Sequence, residues 1–312
     1  MKNKYFLIII FLISAAQLKA QTDTPSVYIF SYFNNNGKDG LHLAYSTDGY
    51  KWTALHGDSS VLKPTVAKDK LMRDPCIIRG ADHLFHMVWT VSWNDKGIGY
   101  ASSTDLIHWS EQQFIPVMAK EDSARNCWAP EITYDANKKQ YMIYWATTIA
   151  GKYKMDTLVE SRYNHRLYYV TTKDFKRFSS TKLLYDKGFN VIDATIVPDG
   201  KQFVMFVKDE TRIPPQKNIK ITTSKKLNKG YTLASAPITG NYWAEGPTTL
   251  KLGNNWIVYF DKYRDHKYGA VQSADLKTWV DVSDKIALPK GIRHGSIFTI
   301  TIKELQQLLK GM

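Results

Sequence analysis

Four segments of the chain are copies of one phrase: "LHLAYSTDGYKW" (41–52), "IGYASSTDLIHW" (98–109), "LYYVTTKDFKRF" (167–178) and "YGAVQSADLKTW" (268–279). In each, a strand-like alternation runs into Ser or Thr, any residue, then Asp, and a large aromatic follows four positions later. A degenerate fifth copy, "IKITTSKKLNKGY" (219–231), fills the long gap between Asp174 and Asp275. Alternation of apolar and polar residues marks a half-buried strand, and Ser/Thr-x-Asp makes a tight turn capped by its own side chains. Further strands precede the later copies, as in "HLFHMVWTVSW" (83–93), "QYMIYWATT" (140–148), "QFVMFVKD" (202–209) and "NWIVYFDKY" (255–263). Three to four strands per unit, repeated five times with no helix between them, predict an all-β, five-bladed β-propeller. A pair of β-sandwiches would use the same strands but does not predict the repeat.

The first unit is incomplete. "SVYIFSYF" (26–33) and the phrase at 41–52 supply strands, while the missing inner strand, "RHGSIFTITI" (293–302), comes at the other end of the chain. The two ends are therefore expected to share one blade and close the ring. The tail "IKELQQLLKG" (302–311) carries the helical pattern of the chain.

The stretch 1–20, "MKNKYFLIIIFLISAAQLKA", has a lysine-bearing start, an apolar run too short to span a bilayer and a small residue before Gln21. It reads as a secretory signal peptide rather than a retained anchor. This leaves 21–312 as a single propeller domain, exported to the periplasm or secreted, with no membrane attachment after cleavage. Without Lys2, Lys4 and Lys19 the formal charge falls from +13 to +10. The basic residues are scattered, "KKLNK" (225–229) being the densest group, so the charge reads as a solvated surface and nucleic acid is not expected as a partner. Cys76 and Cys127 could pair in an oxidising compartment, but each sits in an apolar run, which favours two buried free thiols. No nucleotide or dinucleotide motif is present, and no organic cofactor is implied.

In a propeller the innermost strand of each blade starts near the axis. Those starts read "MRDPCII" (72–78), "CWAPEITY" (127–134), "NVIDATIV" (190–197), "WAEGPTTL" (243–250) and "IRHGSIF" (292–298). Each carries an ionisable group, so Asp74, Glu131, Asp193, Glu245 and His294 should converge on one central funnel. Singly, each has a structural explanation: a turn acid, an ion pair or a satisfied core histidine. Together, several buried carboxylates are costly and are found mainly where chemistry needs them. Paired carboxylates in a cleft suit glycoside hydrolysis, in which one acid protonates the leaving oxygen and the other activates water or attacks the sugar directly. With nine Trp and nineteen Tyr the chain has flat apolar faces for sugar rings, and Trp128 and Trp243 lie beside the funnel strings.

The strings "RDPCI", "IDATIV", "EGPTTL" and "RHGSI", in this order and at these spacings, resemble those of family 43 glycoside hydrolases, over roughly residues 26–302. That resemblance implies a five-bladed propeller that cleaves arabinose- or xylose-containing oligo- and polysaccharides with inversion. It makes Asp74 the general base, Asp193 the carboxylate that raises and orients the acid, and Glu245 the general acid at the head of an apolar strand. His294 corresponds to an axial histidine that in many relatives helps hold a hydrated cation, often Ca2+, in the central channel. Many relatives have Asp after "WAP"; Glu131 stands there instead and is taken as a funnel-lining or substrate-contact residue. Arg73, Arg293 and Lys208 are candidates for contacts with sugar hydroxyls or with the carboxylates. The forms "IDATIV" and "RHGSI" incline towards an α-L-arabinofuranosidase, ahead of a β-xylosidase or an endo-acting xylanase or arabinanase. Family 32 enzymes share an "RDP" string, but they need a "WxNDPNG"-like stretch ahead of it. Here "WNDKG" (93–97) follows it. A sugar-binding propeller without catalysis is the reading from a different class, and it would not require all three acids.

Overall fold

The repeated phrase builds the outer half of each blade. In the computed structural model, which describes residues 26–153 and 163–311, the Ser46 hydroxyl accepts the Gly49 N–H at 2.8 Å, and Asp48 Oδ1 accepts those of Tyr50 and Lys51 at 2.7 and 2.8 Å. The same pattern recurs at Ser103 and Asp105, at Thr172 and Asp174, and at Ser273 and Asp275. The residue after each Asp is left-handed: Gly49, Leu106, Phe175 and Leu276. The captured N–H groups hold three non-glycine residues in that sparsely populated region.

The strands fall into five antiparallel sheets. The first contains β1 (Ser26–Tyr32), β2 (His42–Ser46) and β3 (Thr53–Ala54). The second is β4 (Arg73–Arg79), β5 (Phe85–Thr90), β6 (Ile98–Ser103) and β7 (Gln113–Ile115). The third is β8 (Trp128–Asp135), β9 (Gln140–Thr147), β10 (Arg166–Thr172) and β11 (Lys182–Tyr185). The fourth has only β12 (Val191–Asp199), β13 (Gln202–Asp209) and β14 (Asn218–Ser224). The fifth is β15 (Glu245–Leu252), β16 (Asn255–Lys262), β17 (Lys267–Ser273) and β18 (Val280–Asp281). The final strand, β19 (Ser296–Thr301), pairs with β1 and completes the first sheet in the order β19-β1-β2-β3. The molecule is a five-bladed β-propeller closed by both ends of the chain, as the repeat and the displaced inner strand imply. The amino-terminal run expected to be an export signal lies outside the described residues.

The three-stranded blade is the one with the degenerate phrase. Lys226 occupies the Asp position, so no carboxylate gathers the N–H groups beyond Ser224. The following segment runs irregularly beside β14, tied by Thr232 N–H to Thr223 O, Ser235 N–H to Ile221 O and Ile238 N–H to Ile219 O.

Alternation suggested strands buried on one face, but β5 is buried at every position, and so are all but the first residue of β9. A middle strand has a neighbouring blade against each face, so both of its faces are removed from water. Five apolar clusters fill the five seams between blades. Helix α1 (Ile302–Gly311) drops Leu305 and Leu308 into the seam between the closing and second blades. A capping box starts it: Glu304 N–H donates to the Thr301 hydroxyl and Thr301 N–H to the Glu304 carboxylate. Cys76 and Cys127 are free and buried, and burial raises both thiols well out of the reactive range.

The closing seam is tied by hydroxyls. Ser31 Oγ donates to Pro75 O at 2.7 Å and lies 3.0 Å from Ser296 Oγ, which accepts the Ile77 N–H at 2.9 Å. Gly295 makes this approach possible, because a Cβ there would sit 1.7 Å from the Ser31 carbonyl oxygen. Since that obstacle is backbone, Gly295→Ala is expected to lower the melting temperature by about 5 °C or more in a thermal scan. An unchanged transition would show that the ends need not meet this closely.

Candidate active site

The inner strands do not start straight. In four of them the ladder to the second strand slips near the axis, between Arg73 and Cys76, Trp128 and Glu131, Ile192 and Thr195, and Glu245 and Thr248. The residue just after the first of each pair is left-handed: Asp74, Ala129, Asp193 and Gly246. These are β-bulges, which re-aim side chains at the rims of sheets. Aligning the bulges separates acids that look equivalent in sequence. Asp74 and Asp193 are the bulge residues themselves, while Glu245 stands one position earlier, at the place of Arg73. Glu131 stands two positions past its bulge, inside the strand.

A cavity of about 430 Å³ opens over these bulges. Asp74, Asp193 and Glu245 line it with Arg73, Lys208, Arg293, His294 and Trp128. Two other expected contact residues are not brought to it. Glu131 is buried and accepts from the Tyr144 hydroxyl at 2.9 Å, and burial pushes its carboxyl up to about 7. Trp243 lies aside, its ring 5.8 Å from that of Tyr263 and under the Arg264 guanidinium at 4.6 Å. A larger cavity of about 690 Å³, lined mainly by apolar groups such as Ile115, Val117, Tyr168 and Phe178, lies out between the second and third blades, away from the carboxylates.

The two bulge carboxylates have opposite surroundings. Asp74 Oδ2 accepts from the Thr90 hydroxyl at 2.8 Å, and Oδ1 lies 3.3 Å from His294 Nδ1. Burial alone would raise this carboxyl, but the His294 hydrogen bond and charge, with Arg73 and Thr90, outweigh it and hold the group at about 2. Asp193 accepts the Gly246 N–H at 3.0 Å, and among the described residues no cation forms an ion pair with it. Its burial pushes it up to about 6, with Glu245 and Asp74 adding to the rise against His294 and Lys208. The site thus holds one carboxylate firmly ionised beside another drawn towards neutrality.

Glu245 is set among cations rather than in the apolar setting its strand suggests. Lys208 Nζ lies 2.7 Å from its Oε2 and Arg293 Nη2 3.2 Å from its Oε1. Arg293 also pairs through Nε with Asp261, the residue directly opposite Glu245 in the ladder. Two carboxylates facing each other across a strand pair repel, and the guanidinium bridges them. Asp261 is nevertheless pushed up to about 6, chiefly by burial. Lys208, 2 % exposed, reaches a second carboxylate at Glu210 Oε2, also at 2.7 Å. Glu210 and Asp261 are members of this network that sequence reasoning missed. For Glu210 the signal is the run "VKDE" itself; for Asp261 it is "YFDK", readable only once the register with Glu245 is known.

Arg73 donates to Asn36 at 2.9 Å and lies between the rings of Trp93 and Phe33, 4.3 and 4.7 Å from their centroids. Trp128 donates its indole N–H to Trp93 O at 2.9 Å and meets the Trp93 ring edge-on. This aromatic wall and its fixed guanidinium form one side of the cavity.

His294 is surrounded by carboxylates. Burial would lower it, but Asp74, Asp193 and Glu131 hold it up to about 9, so it is an imidazolium at neutral pH. Among the described residues no group of three or more His, Cys, Asp or Glu side chains is arranged to hold a metal. A hard cation such as Ca2+ takes several oxygen ligands, and the side chains present do not make that set.

Comparison with known proteins bears on the fold and the family. A curated α-L-arabinofuranosidase of Bifidobacterium longum subsp. longum is 27% identical over 180 residues, which are 49% of this chain and 17% of that relative, so the match spans about a sixth of its length. Among solved structures, a thermostable family-43 glycoside hydrolase superposes with a TM-score of 0.56 at 16% identity over 72% of this chain and 81% of that one. An α-L-arabinofuranosidase from Lactobacillus brevis superposes with a TM-score of 0.53 at 15% identity over 68% and 72% of the two chains. At such identities these structures speak for the propeller alone. A family-43-related sequence model described as "Probable glycosyl hydrolase domain" matches residues 23–306. With nearly its whole length matched, the protein belongs to the family-43-related glycoside hydrolases.

Proposed function

We propose that this glycoside hydrolase removes pentose residues from plant polysaccharide with inversion of configuration, and that it is an α-L-arabinofuranosidase. The observation that carries the reading is the meeting of Asp74, Asp193 and Glu245 on one cavity, with Asp74 held ionised as a base requires. Asp74 takes a proton from a water that attacks the anomeric carbon, while Glu245 gives its proton to the departing glycosidic oxygen. Asp193, fixed by the Gly246 N–H, stands beside this pair as the third carboxylate of the cavity. The ion pairs to Lys208 and Arg293 are those of Glu245 after its proton has left. Arg73, Trp93 and Trp128 offer a stacked cation and aromatic faces to the sugar. The curated arabinofuranosidase match inclines the substrate towards arabinofuranose in arabinan or arabinoxylan. Xylopyranose is the second choice, and the export expected from the amino-terminal run would place the enzyme where such polymers are met.

The test is a pair of variants on two kinds of substrate, nitrophenyl glycosides of arabinofuranose and xylopyranose and an arabino-oligosaccharide. Nitrophenolate leaves with little help from an acid. Glu245→Gln is therefore expected to lose about 10²–10⁴-fold in turnover on the oligosaccharide and distinctly less on the nitrophenyl glycoside. Asp74→Asn, which removes the base, is expected to lose activity on both. Sugar binding that survives in both variants, followed by isothermal calorimetry, accompanies a catalytic role. Full activity in either variant contradicts the role given to that residue.

A further inference from the structure

Lys208 is the most deeply buried cation of the site, and it touches two carboxylates at the same distance. Its Nζ is 2.7 Å from Glu245 Oε2 and 2.7 Å from Glu210 Oε2, with the Tyr263 ring 4.6 Å away. Glu210 is anchored from its far side by Lys217, itself buried, and approached by Arg212 at 3.9 Å. Burial would raise the Glu210 carboxyl, but Lys208 and Lys217 outweigh it, so Glu210 stays an anion. Both oxygens of Glu245, by contrast, are occupied by cations. A proton donor cannot keep both of these contacts while it carries its proton.

We propose that Lys208 is a positioning residue shared between the two glutamates: it rests on Glu245 while that carboxylate is ionised and leans onto Glu210 when Glu245 carries the proton it donates. The inference rests on the donor role of Glu245 proposed above. A buried ammonium left without an anion is strongly unfavourable; Glu210 removes that cost, because Lys208 keeps an anion in contact in either state. Glu210 thereby limits how strongly Lys208 holds Glu245 ionised. After each turnover Asp74 holds the proton taken from water and Glu245 lacks one, and exchange with solvent restores both. The other groups acting on Glu245 are Arg293 in contact, the charges of Asp193, Asp261 and Arg73, and the phenols of Tyr263 and Tyr268.

The experiment is the pH dependence of kcat/KM of the full chain on an arabino-oligosaccharide, whose alkaline fall reports loss of the donor's proton. Lys208→Met removes the cation that favours ionised Glu245, and the fall is expected to move to higher pH by about one unit or more. Glu210→Gln leaves Lys208 with Glu245 as its one contacting carboxylate, and the fall is expected to move the opposite way. Opposed shifts support the proposal; an unmoved fall, or shifts of the same sign, overturn it. If Lys208→Met does not fold by circular dichroism, Glu210→Gln decides alone. Glu245→Gln run alongside separates the two layers. Wild-type activity in that variant removes the donor role and this inference with it. Loss of activity there with unmoved profiles in the other two removes the inference alone.

Discussion

The site depends on a backbone constraint: an inner strand can present an acid to the propeller axis only by turning left-handed at its first paired residues. At Asp74 and Asp193 that turn is made by non-glycine residues, a conformation Asp tolerates better than most because its short side chain can bond locally. In the fifth blade Gly246 makes the turn, and it must be glycine for a second reason. A Cβ there would fall 2.4 Å from the His294 ring. The bulges therefore both aim the carboxylates and let the closing strand's histidine reach the axis.

Charge balance follows from that geometry. Three acids around one cavity would repel, and each is compensated from a different direction. His294 and Thr90 answer Asp74, a backbone N–H answers Asp193, and Lys208 and Arg293 answer Glu245. Because the compensation is unequal, the carboxylates are not interchangeable. Asp74 lies at about 2 and Asp193 at about 6 although they occupy the same bulge position in two blades. Environment, not residue type, sets their ionisation.

Much of this was legible in the sequence where the cause is local. Ser/Thr-x-Asp caps its own turn, so four copies announced four blades, and the copy with Lys226 fell on the blade that lacks a fourth strand. The displaced "RHGSIF" string likewise foretold the closing of the ring. What stayed hidden depends on pairing. The register slip that separates Glu131 from Asp74 and Asp193 exists only once a second strand is beside the first. Asp261 becomes part of the site only through the ladder that sets it opposite Glu245. The contact of Lys208 with Glu245 is likewise a property of neighbouring blades, whereas its contact with Glu210 lies within the run "VKDE".

The central claim is that Asp74 activates water across the sugar from Glu245 and does not itself bond to the anomeric carbon. Proton NMR of the first sugar released from an α-L-arabinofuranoside, recorded before mutarotation, tests it most directly. β-Arabinofuranose is expected to appear first, with the α anomer growing in later. Release of the α anomer first would contradict the role of Asp74 and the mechanism built on it.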